Sequence, residues 1–193
     1  MIRKIKNEAG RWFVGQNEVS SCMVDYYQTL FTAGPAPDRW PVLDSIPCKL
    51  QEEDNEELMR PFTKEEVWPA LKQMGCRKAP GSDGLSAFFF RKYRSIAGDE
   101  VTRAVLQILD TCAMPEGLNH TLITLIPKTK QLVSPKDFRP ISLCNVLYKI
   151  VSKVLANRLK PLLDKIISLA QSAFIPGRFI TDNIMATSSV STL

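Results

Sequence analysis

Between Asn145 and Leu163 the apolar residues Val146, Leu147, Ile150, Val151, Val154, Leu155 and Leu159 recur at the i, i+3, i+4, i+7 spacing of one helix face. Lys149, Lys153 and Lys160 fall on the opposite side. A helix with so wide an apolar face holds its shape only when other elements cover that face, so the rest of the chain must supply a core. With 193 residues, 45% of them hydrophobic and 23% charged, it has the material for one domain and an extension. That composition excludes collagen-like, coiled-coil and wholly disordered chains. The apolar runs stop far short of the roughly 18 residues that a membrane span needs. The opening MIRKIKNEAGRW has no apolar signal core, which gives an intracellular expectation, nuclear or cytoplasmic.

Around that helix the pattern predicts further elements. Ile2 to Ile5 and Trp12 to Val14 read as a small hairpin turning at Asn7 to Gly10, and Asn17 is placed to cap a helix from Glu18 to Phe31. From Thr32 to Glu57, prolines at 35, 37, 41 and 47 and the acidic run EEDNEE read as a linker, which sets a boundary near residue 60. Residues 1–60 are then an extension and residues 61–193 the main domain. Thr63 with Glu66 forms a capping box for a helix running to Met74, although Pro69 inside it predicts a kink or a late start. Two further helices are expected at about Ser86 to Ile96 and Asp99 to Ala113. Leu122 to Pro127 has the β-branched content of a buried strand, and Phe138 to Leu143 makes the second arm of a hairpin with a long basic loop. Pro140 must then lie at an edge. Ser172 to Asn183 reads as a strand or loop with a Pro-Gly turn, and Thr181 is placed to cap a last helix. The expected fold class is α+β, mainly helical with short antiparallel strands.

Several chemistries are excluded. Five scattered cysteines without a CxxC pair, and a single histidine, His120, offer neither a zinc site nor a disulfide framework. There is no GxSxG elbow, and Gly81-Ser-Asp-Gly84 lacks the GK[ST] ending of a P-loop. In the last third of the chain Glu116, Asp137, Asp164 and Asp182 stand apart from one another, so no adjacent pair of acids presents itself for two-metal chemistry. What remains is positive charge set beside turns. Residues 113–193 hold ten Lys/Arg against four Asp/Glu. Lys128 and Lys130 close the first strand, Arg139 lies near the start of the second, and Arg178 follows Pro176-Gly177. Long cations at this density can clasp phosphates, arginine bidentately, or can simply keep a surface solvated; spacing alone leaves both readings open.

Three stretches carry a resemblance that spacing does not. MGCRKAPGSDG (Met74 to Gly84), Leu122 to Lys165 with LIPK and DFRPISLCNVLYKIVSKVLANRLK, and QSAFIPGRFITDN (Gln171 to Asn183) are similar to the reverse transcriptases of non-LTR retrotransposons, those of plant LINE elements above all. The resemblance covers roughly residues 60 to 184. It implies part of a right-hand polymerase, the fingers and the start of the palm. It also implies that Lys128 and Arg139 bind the incoming nucleotide. The KAPGSDG loop, through Lys78, Gly81 and Gly84, then lies against the template, and Gln171, Gly177 and Arg178 line the template path.

The same family carries its metal-binding aspartates in a later strand and a YADD-type turn, whereas this chain reads IMATSSVSTL after TDN. Mg²⁺ is therefore expected for a full-length member, and no cofactor is expected in this chain. The implied function is a fragment of an RNA-directed DNA polymerase that does not polymerise alone, with RNA or DNA as partner, no membrane partner, and an oligomeric state left open. A domesticated nucleic-acid-binding module and a transposon remnant without function are the alternatives.

Overall fold

A computed structural model describes residues 2–35, 47–168, 171–172, 175, 177–179 and 181. Packing groups the chain into two units, Met1–Ser45 with Thr121–Leu143, and Ile46–His120 with Cys144–Leu193.

The first unit begins with β1 (Lys4–Lys6) and β2 (Trp12–Val14), paired antiparallel with Ile5 opposite Phe13. Asn7 makes the turn: its carbonyl accepts from Gly10 N and its side chain from Arg11 N. β2 runs directly into α1 (Gln16–Phe31), whose N-cap is Gly15, so Asn17 lies inside the helix and does not cap it. Glu18 turns back instead to accept from Val14 N at 3.2 Å. Val19, Cys22, Met23 and Tyr27 of α1 form a core with Ile5 and with Phe138 of the second hairpin.

That hairpin is β3 (Leu122–Pro127) and β4 (Phe138–Leu143), in the expected antiparallel pairing from Leu122 opposite Leu143 to Pro127 opposite Phe138. β3 is not the buried strand its composition suggests, since Leu122, Ile123 and Ile126 are all more than two-fifths exposed. A two-stranded ribbon has one face to bury. Here Phe138 and Leu125 occupy that face against the α1 core, Leu122, Thr124 and Ile126 lie on the other face, and Ile123, although on the Leu125 face, is not part of that core. Pro140 lies opposite Leu125, and since the sheet has only two strands its missing N–H breaks no further ladder.

The second unit is helical: α2 (Glu52–Met59), α3 (Lys64–Lys72), α4 (Ala87–Lys92), α5 (Arg94–Thr111), α6 (Val146–Leu159), a 3₁₀ turn at Lys160–Leu162, and α7 (Leu163–Ile166). Its core joins Val67, Ala70 and Leu71 of α3, Phe90 of α4, Val105, Ile108 and Leu109 of α5, and Val146, Ile150, Val151 and Val154 of α6. The α6 stripe is narrower than the sequence suggests. Leu155 is 48% exposed and Leu159 41%, whereas Lys149 and Lys153, expected in solvent, are half-buried.

Other local expectations shift for physical reasons. The acidic run read as linker forms α2, because Asp54 caps it by accepting from Gln51 N and is itself held by Lys165 Nζ at 2.6 Å. α3 begins at its Thr63–Glu66 capping box and passes through Pro69 without a late start. Both Pro69 and Glu65 are exposed, so the carbonyl that loses its helical donor faces water. α4 and α5 divide at Tyr93, after a first helix capped by Ser86, whose hydroxyl accepts from Phe89 N. The segment expected from Ser172 to Asn183, and the helix that Thr181 would cap, lie largely outside the described residues. Among the described residues no helix is long and apolar enough to cross a membrane.

Candidate nucleic-acid interface

In the first unit the loop end of the β3–β4 hairpin carries the two cations singled out from sequence. Beyond the last paired residues the ladder continues, with Lys128 N donating to Asp137 O at 2.8 Å. Arg139 lies opposite Ile126, and Lys128 follows Ile126 by two residues, so strand alternation places Lys128 and Arg139 on one face. Both are exposed. The connection between the arms is not slack. Ser134 and Asp137 cap a 3₁₀ turn at Pro135–Asp137, Pro135 is buried, and Tyr27 Oη donates to its carbonyl. Asp137 accepts from Val133 N and Ser134 N at 2.9 and 2.8 Å, and these bonds hold its carboxyl below the usual range. Its charge is thus engaged by backbone donors, and Lys128 Nζ reaches the neighbouring Lys136 O at 2.7 Å.

In the second unit the KAPGSDG loop is fixed at both ends. Arg91 closes α3 by donating to the carbonyls of Leu71, Lys72 and Met74, and it also touches Cys76 Sγ. At the far end Asn145, 5% exposed, binds the loop to α6. Its Oδ1 accepts from Ser82 Oγ and Asp83 N at 3.3 Å, and its Nδ2 donates to Leu118 O at 3.2 Å. Gly81 is the point of closest approach. A Cβ there would lie 2.6 Å from the Cys144 carbonyl carbon and closer still to Asn145 N and Oδ1. Gly84 has a different reason to be glycine, since its φ is +71° with open space around it.

Gly81→Ala is therefore expected to destabilise the fold by about 1–3 kcal/mol, because the obstructing atoms are mainly backbone and cannot swing aside. Urea denaturation of the variant checks it. A loss under about 0.5 kcal/mol would show that the loop stands off α6.

Held in this way, the loop presents Lys78 to a cavity of about 300 Å³ whose wall also includes Lys149 and Lys153 of α6 and whose floor is Met74, Ala79, Ala87 and Val146. The Lys78 stem lies across Gly75, 3.1 Å from where a Cβ would be, and Lys149 Nζ approaches Ala79 O at 3.4 Å. The lining contains no carboxylate. Three ammonium groups around an apolar floor repel one another and favour an anion. Of the three, the sequence singles out Lys78, and its helical pattern sets Lys149 and Lys153 opposite the apolar stripe. The signal available was their i, i+4 spacing, which says that they share a side but not what faces them.

The third group, which the resemblance sets along the template path, has its cation engaged within the chain. Arg178 is directed inward: its guanidinium donates to Ser168 O (2.6 Å), Gln171 O (2.9 Å) and Asp164 Oδ1 (3.0 Å), and its side chain is 13% exposed. Gln171 and the turn residue Gly177 are thereby drawn to the C-terminal end of α7. The arrangement gives Arg178 a positioning role and leaves its fork little to offer a ligand.

A divalent metal fits none of these places. Among the described residues no three of His, Cys, Asp and Glu lie close enough together to hold one. The carboxylates with clear engagements are paired with cations or backbone donors: Asp54 with Lys165, Glu66 with Arg158, Asp164 with Arg178, and Asp137 with two amides.

Residues 126–192 match the sequence profile described as "Reverse transcriptase (RNA-dependent DNA polymerase)". The chain is 35% identical over 161 residues to the Transposon TX1 uncharacterized 149 kDa protein of Xenopus laevis, a match covering 82% of this chain and 12% of that protein. It is 29% identical over 126 residues to the Retrovirus-related Pol polyprotein from type-2 retrotransposable element R2DM of Drosophila melanogaster, covering 62% and 11%. It is 26% identical over 165 residues to the Probable RNA-directed DNA polymerase from transposon BS of the same fly, covering 83% and 18%. The chain thus spans less than a fifth of the length of each of these curated relatives.

Proposed function

We propose that this chain, which carries reverse transcriptase sequence of the non-LTR retrotransposon type, provides the nucleic-acid-handling fingers and palm entrance of an RNA-directed DNA polymerase and does not itself catalyse synthesis. The observation that carries this reading is the shared face of Lys128 and Arg139 at the end of a braced hairpin, within and beside the segment that matches the reverse transcriptase profile. Phosphoryl transfer depends on positioning and charge stabilisation, so two cations fixed on one face suit a triphosphate. Lys78, joined by Lys149 and Lys153, suits the phosphate backbone of a template strand. The motifs KAPGSDG and QSAFIPGR favour the LINE type, plant elements in particular, and the setting such a function requires is intracellular. No step here runs through a metal ion, because the described carboxylates do not converge to hold one. Synthesis then requires carboxylates from elsewhere in a polymerase.

Two measurements test this reading. Given template, primer, deoxynucleotides and Mg²⁺, the purified chain is expected to show no extension above a protein-free control; template-dependent extension would overturn the assignment. In anisotropy titrations with a labelled single-stranded RNA, the Lys78→Ala/Lys149→Ala/Lys153→Ala variant is expected to bind more weakly and to lower the salt slope by up to about 2, at roughly 0.7 per phosphate contact. Lys128→Ala/Arg139→Ala is expected to weaken triphosphate binding, with Arg139→Lys restoring only part because a point charge lacks the fork. Unchanged binding in both variants would reduce these cations to surface solvation.

A further inference from the structure

Outside the profile-matched segment, the β1–β2 hairpin carries a surface that the polymerase reading does not use. Its register sets Lys6 opposite Trp12 and Lys4 opposite Val14, so these four side chains share the outward face while Ile5 packs into the α1 core. Trp12 is 45% exposed and Val14 63%. Lys4 Nζ and Lys6 Nζ stand 5.0 and 6.0 Å from the indole centroid. Residues 2–14 hold four cations, Arg3, Lys4, Lys6 and Arg11, against the single carboxylate of Glu8. A large aromatic ring left half in solvent, with two mobile-stemmed ammonium groups held over it as cation–π contacts, has the two parts of a single-strand binding surface. An unpaired base that stacks on the ring displaces the ammonium groups from over it, and their long stems let them turn to the phosphates on either side of that base.

We propose that this face is a stacking platform for single-stranded nucleic acid, with Trp12 receiving a base and Lys4 and Lys6 receiving the flanking phosphates. Charge complementarity selects the partner. An acidic protein surface would satisfy the lysines but would leave the indole without a planar group to stack on, and a duplex keeps its bases stacked within itself. The surface is distinct from the Lys78 cavity and does not rest on the polymerase reading.

The experiment uses the full chain and a fluorescently labelled oligouridylate, with a duplex RNA as control, titrated at several salt concentrations. Trp12→Ala is expected to weaken oligouridylate binding about tenfold with little change in salt slope, since stacking releases no counterions. Lys4→Ala/Lys6→Ala is expected to lower the slope by up to about 1.4, at roughly 0.7 per contact. Trp12→Phe guards against a folding defect: it is expected to retain the parent's thermal melt and most of the affinity, while losing the quenching of indole emission that stacking produces in the parent. Any of three results overturns the proposal: no binding by the parent at low salt, affinity of Trp12→Ala within twofold of the parent, or a duplex that binds as tightly and with the same dependence on Trp12. If the variant of Lys78, Lys149 and Lys153 loses affinity while Trp12→Ala does not, this surface is refuted and the reading of the cavity stands.

Discussion

Replacing Arg158 with alanine is expected to destabilise the second unit by about 3–5 kcal/mol, the usual cost of removing one partner of a buried ion pair. The Arg158 side chain is 8% exposed and joins three elements. Its Nε and Nη2 grip both carboxylate oxygens of Glu66 at 2.7 and 2.9 Å, so the residue that caps α3 at Thr63 is also tied to α6. The remaining donors reach the carbonyls of Leu58, Arg60 and Pro61 at the end of α2, and the plane stacks over Phe62 at 3.7 Å. Equilibrium urea denaturation checks the figure, and a loss below about 1 kcal/mol would mean that the pair contributes no more than a surface bridge.

The pH dependence follows from the same bond. Hydrogen bonding from Arg158 is the main cause holding the Glu66 carboxyl below its usual range, and the Arg158 guanidinium is pushed up in turn. A carboxyl lowered by folding contributes stability that is fully present above its unfolded value of about 4.3 and is lost as pH falls through the folded value. The parent and Arg158→Met, which keeps an apolar stem beside Phe62, are therefore expected to differ most near neutrality and to converge in acid. A gap that stays constant down to about pH 3 would place the coupling elsewhere.

Ile150→Ala is expected to cost about 2–5 kcal/mol, because Ile150 is fully buried among α3, α5 and α6 and its neighbours cannot collapse completely into the space left. Leu155→Ala makes the comparison. Sequence periodicity puts both leucine and isoleucine on the apolar face, but Leu155 is 48% exposed and should lose under about 1 kcal/mol. Equal losses at the two positions, measured by denaturant unfolding, would show that the buried face of α6 has been set at the wrong angle.

That contrast shows how far the chain can be read without its fold. The sequence determined what depends on neighbours three or four residues away, or on a ladder closed by one connection. The helical period of 145–159, the Thr63–Glu66 cap, the turn at Asn7 to Gly10 and the pairing of 122–127 with 138–143 are of this kind. The resemblance of LIPK and FRPIS marked Lys128 and Arg139, and the register of the hairpin then carries both to one face. What the sequence left open depends on contacts between distant parts of the chain. Periodicity fixes which α6 residues share a side but not how wide a strip its partners cover, so Leu155 and the half-buried Lys149 and Lys153 became legible only in the packed structure. Composition made Glu52–Glu57 a solvated run, because nothing local reveals that Lys165 and Arg158 will meet that helix from the other end of the chain. Arg178 reads in the sequence as a cation after a Pro-Gly turn, and only the fold shows its fork on the carbonyls of Ser168 and Gln171. Asn145 stands in the sequence only as the head of a helix pattern, yet its amide satisfies the Ser82–Asp83 turn and Leu118 O together, and Gly81 must be glycine because that helix start lies against it. Hydrogen-bonding groups removed from water must find partners wherever the fold brings them, and only the tertiary structure decides which partners those are.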